Sequence, residues 1–309
     1  MKKIFLIGSD GQDGKVLSKL LIKNDIIRFN KNYILNKNKK KKFNILDYNK
    51  VSKVIKQKKP HSIYYLATYN HSAEEKIIED NKFFYKSLDV HFQGLFNFLE
   101  NCRLYSPKTK IFYASSSQIF GIPLSKPQNE KTAPLPRSMY GFTKLLGNNL
   151  CQYYRRTYGL FCCVGILYNH ESEFSSEKFL TSKLINSAIR IANKQQKKIL
   201  VGNINNKIDI GYSEDYMKAA IKIIHHKKPN DYIISSNKQI RVMDIINYIF
   251  SKLNLNANKN IKINKKLIFR KSNNLLVGDN SFLKKKLNWK PKYNYKQMIK
   301  RILKLKNHG

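Results

Sequence analysis

Tyr140 and Lys144 stand four residues apart in a stretch whose apolar spacing predicts a helix over Met139 to Tyr158. That spacing puts both side chains on one helix face. An ammonium near a phenol favours phenolate and draws a tyrosine from about 10 toward neutrality. Such a pair can move the proton of a substrate hydroxyl while a hydride leaves the carbon that bears it. Ser115-Ser116-Ser117 ends a predicted strand upstream. Ligands bind at the carboxyl ends of strands in open α/β sheets, so a hydroxyl there can bond the same substrate oxygen. Gly8-Ser9-Asp10-Gly11-Gln12-Asp13-Gly14 completes the set. It follows an apolar run and opens a helical pattern, where glycines allow a tight turn and the close approach of a pyrophosphate to helix N–H groups.

These residues need a frame that brings strand ends together. Ile4 to Ile7 reads as a buried strand, followed by the helical pattern Val16, Leu17, Leu20, Leu21. Further strands are predicted at Ile26 to Phe29, Phe43 to Ile45, Ile63 to Ala67, Lys110 to Ala114 and Phe161 to Leu167. Helices are predicted around Val51 to Lys58 and Asn81 to Cys102. Strands alternating with helices give right-handed crossovers and a parallel sheet covered on both faces, a Rossmann-type doubly wound α/β fold. The second half mixes helices near Phe179 to Lys194, Ser213 to His226 and Val242 to Leu253 with short strands. We expect a dinucleotide-binding domain over 1–168. A smaller mixed α/β substrate lobe over 169–309 is expected, interleaved in part with the first. Leu66 and Ala67, at the end of the fourth strand, are placed against the cofactor. After the second strand, Arg28-Phe29-Asn30-Lys31-Asn32 carries no acid for ribose hydroxyls. Asn30 and Lys31 suit a 2′-phosphate instead, which favours NADP over NAD.

The 309 residues include 59 Lys+Arg against 20 Asp+Glu, a formal net charge of +39. The excess runs from end to end together with Asn and Ile, the residues of AT-rich codons. It reads as solvated surface, densest at Lys39 to Lys42 and Lys284 to Lys286, and not as a specific nucleic-acid footprint. With 42% hydrophobic residues the chain can bury a sizeable core, and no run approaches the roughly 18 apolar residues that span a bilayer. The short apolar stretch after Met1 runs into glycines where a signal peptide would carry its cleavage site. Cys102, Cys151, Cys162 and Cys163 lack paired or metal-ligand spacing, so a cytoplasmic setting and no metal site are expected.

Four stretches resemble the GDP-mannose 4,6-dehydratase family of the extended short-chain dehydrogenases/reductases. Gly11-Gln12-Asp13-Gly14 matches its Gly-Gln-Asp-Gly, and Pro136-Arg137-Ser138-Met139-Tyr140-Gly141 is similar to Pro-Arg-Ser-Pro-Tyr-Gly. Gly165-Ile166-Leu167-Tyr168-Asn169-His170-Glu171-Ser172 resembles Gly-Ile-Leu-Phe-Asn-His-Glu-Ser, the most diagnostic of the four. Leu287-Asn288-Trp289-Lys290-Pro291 is similar to Leu-Gly-Trp-x-Pro. The resemblance implies oxidation of a nucleotide-linked hexose at C4 with NADP, removal of the C5 proton by a carboxylate, loss of the C6 hydroxyl, and return of hydride to C6. It makes Tyr140 and Lys144 the acid/base pair and puts Ser116 in the place of a threonine. Asn169 and Lys183 become sugar-nucleotide contacts, and Arg270 grips a GDP moiety. His71 falls at a pocket-lining position.

The match breaks at Gln118, where the family carries the glutamate that takes the C5 proton. A primary amide only hydrogen-bonds, so elimination needs a substitute, for which Glu130 and Glu171 are the nearest carboxylates by motif. Ile208-Asp209-Ile210-Gly211 stands for Arg-Asp-Trp-Gly, and Glu173-Phe174-Ser175-Ser176 for Pro-Arg-Arg-Gly. The loop after the second strand, which builds the family tetramer, is short here; a homodimer is the expected assembly. Three readings follow: a dehydratase, a 4-epimerase or 4-keto reductase that needs no elimination base, and a dinucleotide-binding regulatory protein without catalysis.

Overall fold

The computed structural model describes residues 1–36, 39–70, 79–267 and 275–307. The first unit is β1 (Lys3–Ile7), α1 (Gln12–Leu20) and β2 (Asp25–Phe29). Then come β3 (Tyr33–Asn36), β4 (Lys39–Lys42), α2 (Tyr48–Lys58), β5 (Ser62–Tyr65), α3 (Asn81–Leu88) and α4 (Gly94–Tyr105). A π-helical turn, Asp89–Gln93, joins α3 to α4. The strand β6 (Lys110–Ser116), the helix α5 (Met139–Tyr158) and the strand β7 (Cys162–Leu167) follow. Next are β8 (Asn169–Glu171), α6 (Leu180–Ala192), β9 (Ile199–Val201), β10 (Lys207–Tyr212) and α7 (Ser213–His225). The chain continues through β11 (Asp231–Ile234), β12 (Gln239–Arg241), α8 (Val242–Ser251), α9 (Ala257–Asn260) and β13 (Ile261–Ile263). It ends with α10 (Ser281–Leu287) and α11 (Tyr295–Asn307).

Eight strands form one sheet in the order β11-β7-β6-β5-β1-β2-β3-β4. The pairs from β11 to β2 are parallel, and the strands are apolar on both faces, as a covered sheet requires. From β1 the chain turns to β2 on one side and later to β5 on the other, so a crevice opens between the ends of β1 and β5. A strand from the second half, β11, pairs with β7. A three-stranded sheet, β12-β10-β8, and the pair β13-β9 build the rest. A second apolar core, including Leu184, Ile185, Ile245, Ile246, Ile249 and Ile302, lies between α6, α8 and α11.

The third strand expected at Phe43 to Ile45 is not formed. An antiparallel hairpin, β3 and β4, precedes it instead. The apolar signal of Phe43 has another origin: its ring packs edge-on against Phe29 at 5.1 Å in the main core. All four residues of β4 are lysines and all are exposed. They are the solvated run expected from the charge, arranged on an outer strand where lysine discourages edge-to-edge pairing.

Candidate active site

A cleft of about 830 Å³ opens at the carboxyl ends of β1, β5 and β6. Its wall includes the glycine loop, Ser115 to Gln118, Tyr140, Lys144, Tyr168 to Glu171 and the start of α6. Gly8 has φ +88°, and a Cβ there would stand 2.7 Å from the backbone nitrogen of Ala67. A Cβ on Gly14 would meet the Gly8 carbonyl oxygen at 2.5 Å. Both glycines are therefore required by packing of the turn. Gly11 is different: the nearest atom to its added Cβ is at 3.4 Å, so the protein itself does not demand glycine there. Gly11 also heads α1 without a side-chain cap. Backbone N–H groups and open space for a phosphate thus coincide, which fits the pyrophosphate of a dinucleotide.

The side chains of Gln12 and Asp13 turn to protein. Asp13 accepts from His170 Nε2 at 3.0 Å and from Ser213 Oγ at 2.7 Å. Gln12 Nε2 donates to the His170 carbonyl at 3.1 Å, and its Oε1 accepts from Ser172 and Ser175. His170 Nδ1 donates to the Tyr168 carbonyl at 2.7 Å, and its ring stacks on Tyr216 at 4.8 Å. Burial pulls His170 down, but the Asp13 charge and hydrogen bond lift it to about 9. Burial likewise pushes the Asp13 carboxyl up, and the charge of His170 together with hydrogen bonds from His170, Ser213 and Gln12 more than offsets this, leaving it below the usual range. The loop is thus clamped to β8 by a mostly buried ion pair and to α7 by the Ser213 hydrogen bond. Asn30 Oδ1 accepts from Ser9 Oγ, which ties the loop to the end of β2. Lys31 is exposed in the next turn, beside Tyr33, whose hydroxyl donates to Asp10 at 3.2 Å. Leu66 borders the cleft and Ala67 packs against Gly8.

Tyr140 lies in the first turn of α5, which Ser138 caps through Gly141 N–H at 3.0 Å. Its half-buried phenol is hydrogen-bonded by Ser116, at the end of β6, and by Thr68, just past β5. Lys144 is 2% exposed and donates to the Ala114 carbonyl at 2.8 Å, with its nitrogen 5.9 Å from the centre of the Tyr140 ring. The spacing of four therefore does bring the pair to one place. The expected fall in the tyrosine pKa does not follow. Burial raises the phenol above 10 in spite of both hydroxyls. Burial also lowers Lys144, to about 7, although Asp13 partly opposes it. In so dry a setting each charge is costly before a ligand shares it.

Gln118 lines the cleft, and its backbone N–H donates to Ser116 Oγ at 3.2 Å. Of the two substitute carboxylates, Glu130 is not on the cleft wall; it accepts Ile233 N–H at 2.9 Å. Glu171 is on the wall, and burial pushes it up to about 7. Its Oε2 is buried without a hydrogen-bond partner among the described residues. Asn169 is exposed on the cleft and donates to the Asp209 carbonyl at 3.2 Å. Lys183 sits in α6 beyond the wall residues Lys178 to Thr181. Arg270 and His71 lie outside the described residues. Sequence reasoning missed Thr68 and His91. Thr68 follows a strand end at a site-forming position and was findable on that ground. His91 lies inside a helix-spaced run and carries no local signal.

A family model described as GDP-mannose 4,6 dehydratase matches residues 5–302. The chain belongs to the GDP-mannose 4,6-dehydratase family. A relative of Arabidopsis thaliana, GDP-mannose 4,6 dehydratase 1, is 30% identical over 98% of this chain and 89% of its own length. The GDP-mannose 4,6 dehydratase of Drosophila melanogaster is 28% identical over 98% of this chain and 85% of its own. Among solved structures, RMD from Pseudomonas aeruginosa complexed with NADPH superposes with a TM-score of 0.84 at 19% identity, covering 98% of both chains. UDP-glucose 4-epimerase from Thermotoga maritima gives 0.83 at 18% identity, covering 99% of both. These two likenesses show the Rossmann-type fold. Family membership makes the chain an enzyme of the nucleotide-sugar dehydratase and epimerase group, with lyase as the default class. Among the described residues, no helix is long and apolar enough to cross a membrane.

Proposed function

We propose that this family member converts a GDP-linked hexose through oxidation at C4, with NADP as cofactor and GDP-mannose 4,6-dehydration as the default reaction. The observation that carries this reading is the Tyr140 phenol, opening on the cleft between the hydroxyls of Ser116 and Thr68 and one turn from Lys144. When bound, NADP supplies a hydride acceptor and donor. Residues 1–168 would hold it, with backbone N–H groups of the loop from Gly8 to Gly14 available to its phosphates, Asn30 and Lys31 to a 2′-phosphate, and Leu66 and Ala67 to its flank. Tyr140 takes the C4 hydroxyl proton, Ser116 bonds the same oxygen, and Lys144 supplies the positive charge that phenolate needs. Residues 169–309 supply most of the substrate lobe, where Asn169, Lys183 and Arg270 receive the sugar nucleotide.

Dehydration further requires a base at C5. Gln118 cannot serve, and Glu171 is the carboxylate whose burial leaves it able to exchange a proton near neutrality. Gln118 itself favours a second reading, 4-epimerisation or 4-keto reduction, which needs only the Tyr140 chemistry. Incubating the wild-type chain and Gln118→Glu with NADP and GDP-mannose separates the two. Loss of one water by the wild type supports dehydration. Water loss only in Gln118→Glu supports the second reading, and inactivity of both toward any 4-keto or 4-hydroxy hexose nucleotide refutes both.

The setting we infer is cytoplasmic, in keeping with four buried free cysteines. We infer a homodimer as well, because Tyr85, Leu104, Phe142 and Tyr153 leave large apolar groups exposed on α3, α4 and α5, which pack together.

A further inference from the structure

His91 lies in the π-helical turn between α3 and α4 and is fully buried. Its ring meets the Tyr140 ring edge-on, with centroids 5.4 Å apart. Nε2 receives the backbone N–H of Tyr69 at 3.1 Å and stands 3.0 Å from Thr68 Oγ1. Nδ1 stands 2.9 Å from Thr143 Oγ1. The donors fix the tautomer. A backbone N–H only donates, so Nε2 carries the lone pair. The Thr143 hydroxyl spends its proton on the carbonyls of Met139 and Tyr140, at 2.9 and 3.1 Å, so it accepts from Nδ1–H. Burial and the Lys144 ammonium keep the ring neutral.

We propose that His91 and Thr68 are positioning residues for Tyr140, the neutral imidazole competing with the tyrosine oxygen for the single proton of the Thr68 hydroxyl. With tyrosine protonated, Thr68 gives its proton to Nε2 and receives the phenol's. With phenolate, Thr68 must turn its proton to the charged oxygen and leave Nε2 to the Tyr69 N–H alone. The chain is not a proton exit. Beyond His91 it ends at helix carbonyls in the interior, and a proton on Nε2 would face the Tyr69 N–H. A π-helical turn at this point suits the role, since it sets one side chain out of the ordinary helical register.

This inference rests on the function proposed for Tyr140, but its test does not need turnover. The titration of Tyr140 is followed by NMR in the NADP-saturated protein labelled with ¹³Cζ-tyrosine, with Tyr140→Phe identifying the resonance. Thr68→Val removes a donor to phenolate and is expected to move the titration up by about one pH unit, with Thr68→Ser restoring it. His91→Phe removes the competitor, so the titration is expected to move down by a smaller amount, while His91→Gln, which keeps an acceptor, stays near wild type. Shifts of opposite sign are what competition demands and general loosening of the site does not give. An unchanged titration in Thr68→Val, or shifts of one sign in both variants, would overturn the proposal. If His91→Phe does not fold, the Thr68→Val and Thr68→Ser pair still decides. A normal titration pattern without sugar-nucleotide turnover would refute the proposed function and leave this inference standing.

Discussion

Lys144 is buried against the Ala114 carbonyl, and burial lowers it to about 7. At pH 8 the amine is mostly neutral until an anionic ligand arrives nearby. NADP binding at that pH is therefore expected to take up a fraction of a proton, read by calorimetry in two buffers of different ionisation enthalpy. Lys144→Met should bind without uptake, and equal uptake in both proteins would remove Lys144 from the account. Tyr140→Phe should lose roughly 10²–10⁴ in turnover, the range of a lost acid/base. Tyr140, Lys144 and Ser116 were legible in the sequence because helix geometry fixes a spacing of four and strand ends collect ligands. The raised phenol was not legible, because desolvation depends on what covers a group and no local pattern encodes it. Nor was the place of Glu171 on the cleft wall while Glu130 is engaged at β11: both read alike as isolated carboxylates.

At the scale of elements, the glycine loop depends on its clamp to β8 and α7. The Asp13–His170 pair is mostly buried, at 17% and 13% side-chain exposure, and removing one partner strands the other. His170→Gln should cost about 3 kcal/mol of stability and weaken NADP binding. The sign of its pH dependence follows from the two shifts. His170 is raised from 6.5 to about 9, so its contribution is complete below 6.5 and lost as pH rises through 9. Asp13 is lowered from 3.8, so its contribution holds above 3.8 and is lost in stronger acid. The difference in thermal midpoint between wild type and His170→Gln should shrink from pH 6.5 to pH 9; a constant difference would refute the ion pair. Elements with strong periodicity, such as α5 over Met139–Tyr158, were legible to the residue. The β3–β4 hairpin was not. Four lysines in a row have no alternation, and their strand state comes only from pairing with β3.

Across the whole molecule, the charge of +39 does two separable things. Most of it keeps surfaces solvated, including the outer edge of the large sheet. Lys40→Val with Lys42→Val should raise light scattering at unchanged helix content, because an apolar exposed edge invites pairing between copies. A few cations, Lys31 and Lys144 among them, are instead the ones proposed to meet a phosphate or to assist a proton transfer. Total charge does not pick them out; position relative to the switch between β1 and β5 does. The most direct test of the central claim is an incubation of the chain with NADP and GDP-mannose, the product examined by mass and by NMR at C4. A hexose altered at C4, either keto or inverted, is expected from the wild type, and little or no altered hexose from Tyr140→Phe. Unaltered GDP-mannose from folded, NADP-bound protein that also fails to reduce a 4-keto hexose nucleotide with NADPH, or a Tyr140→Phe variant as active as the wild type, would contradict that claim.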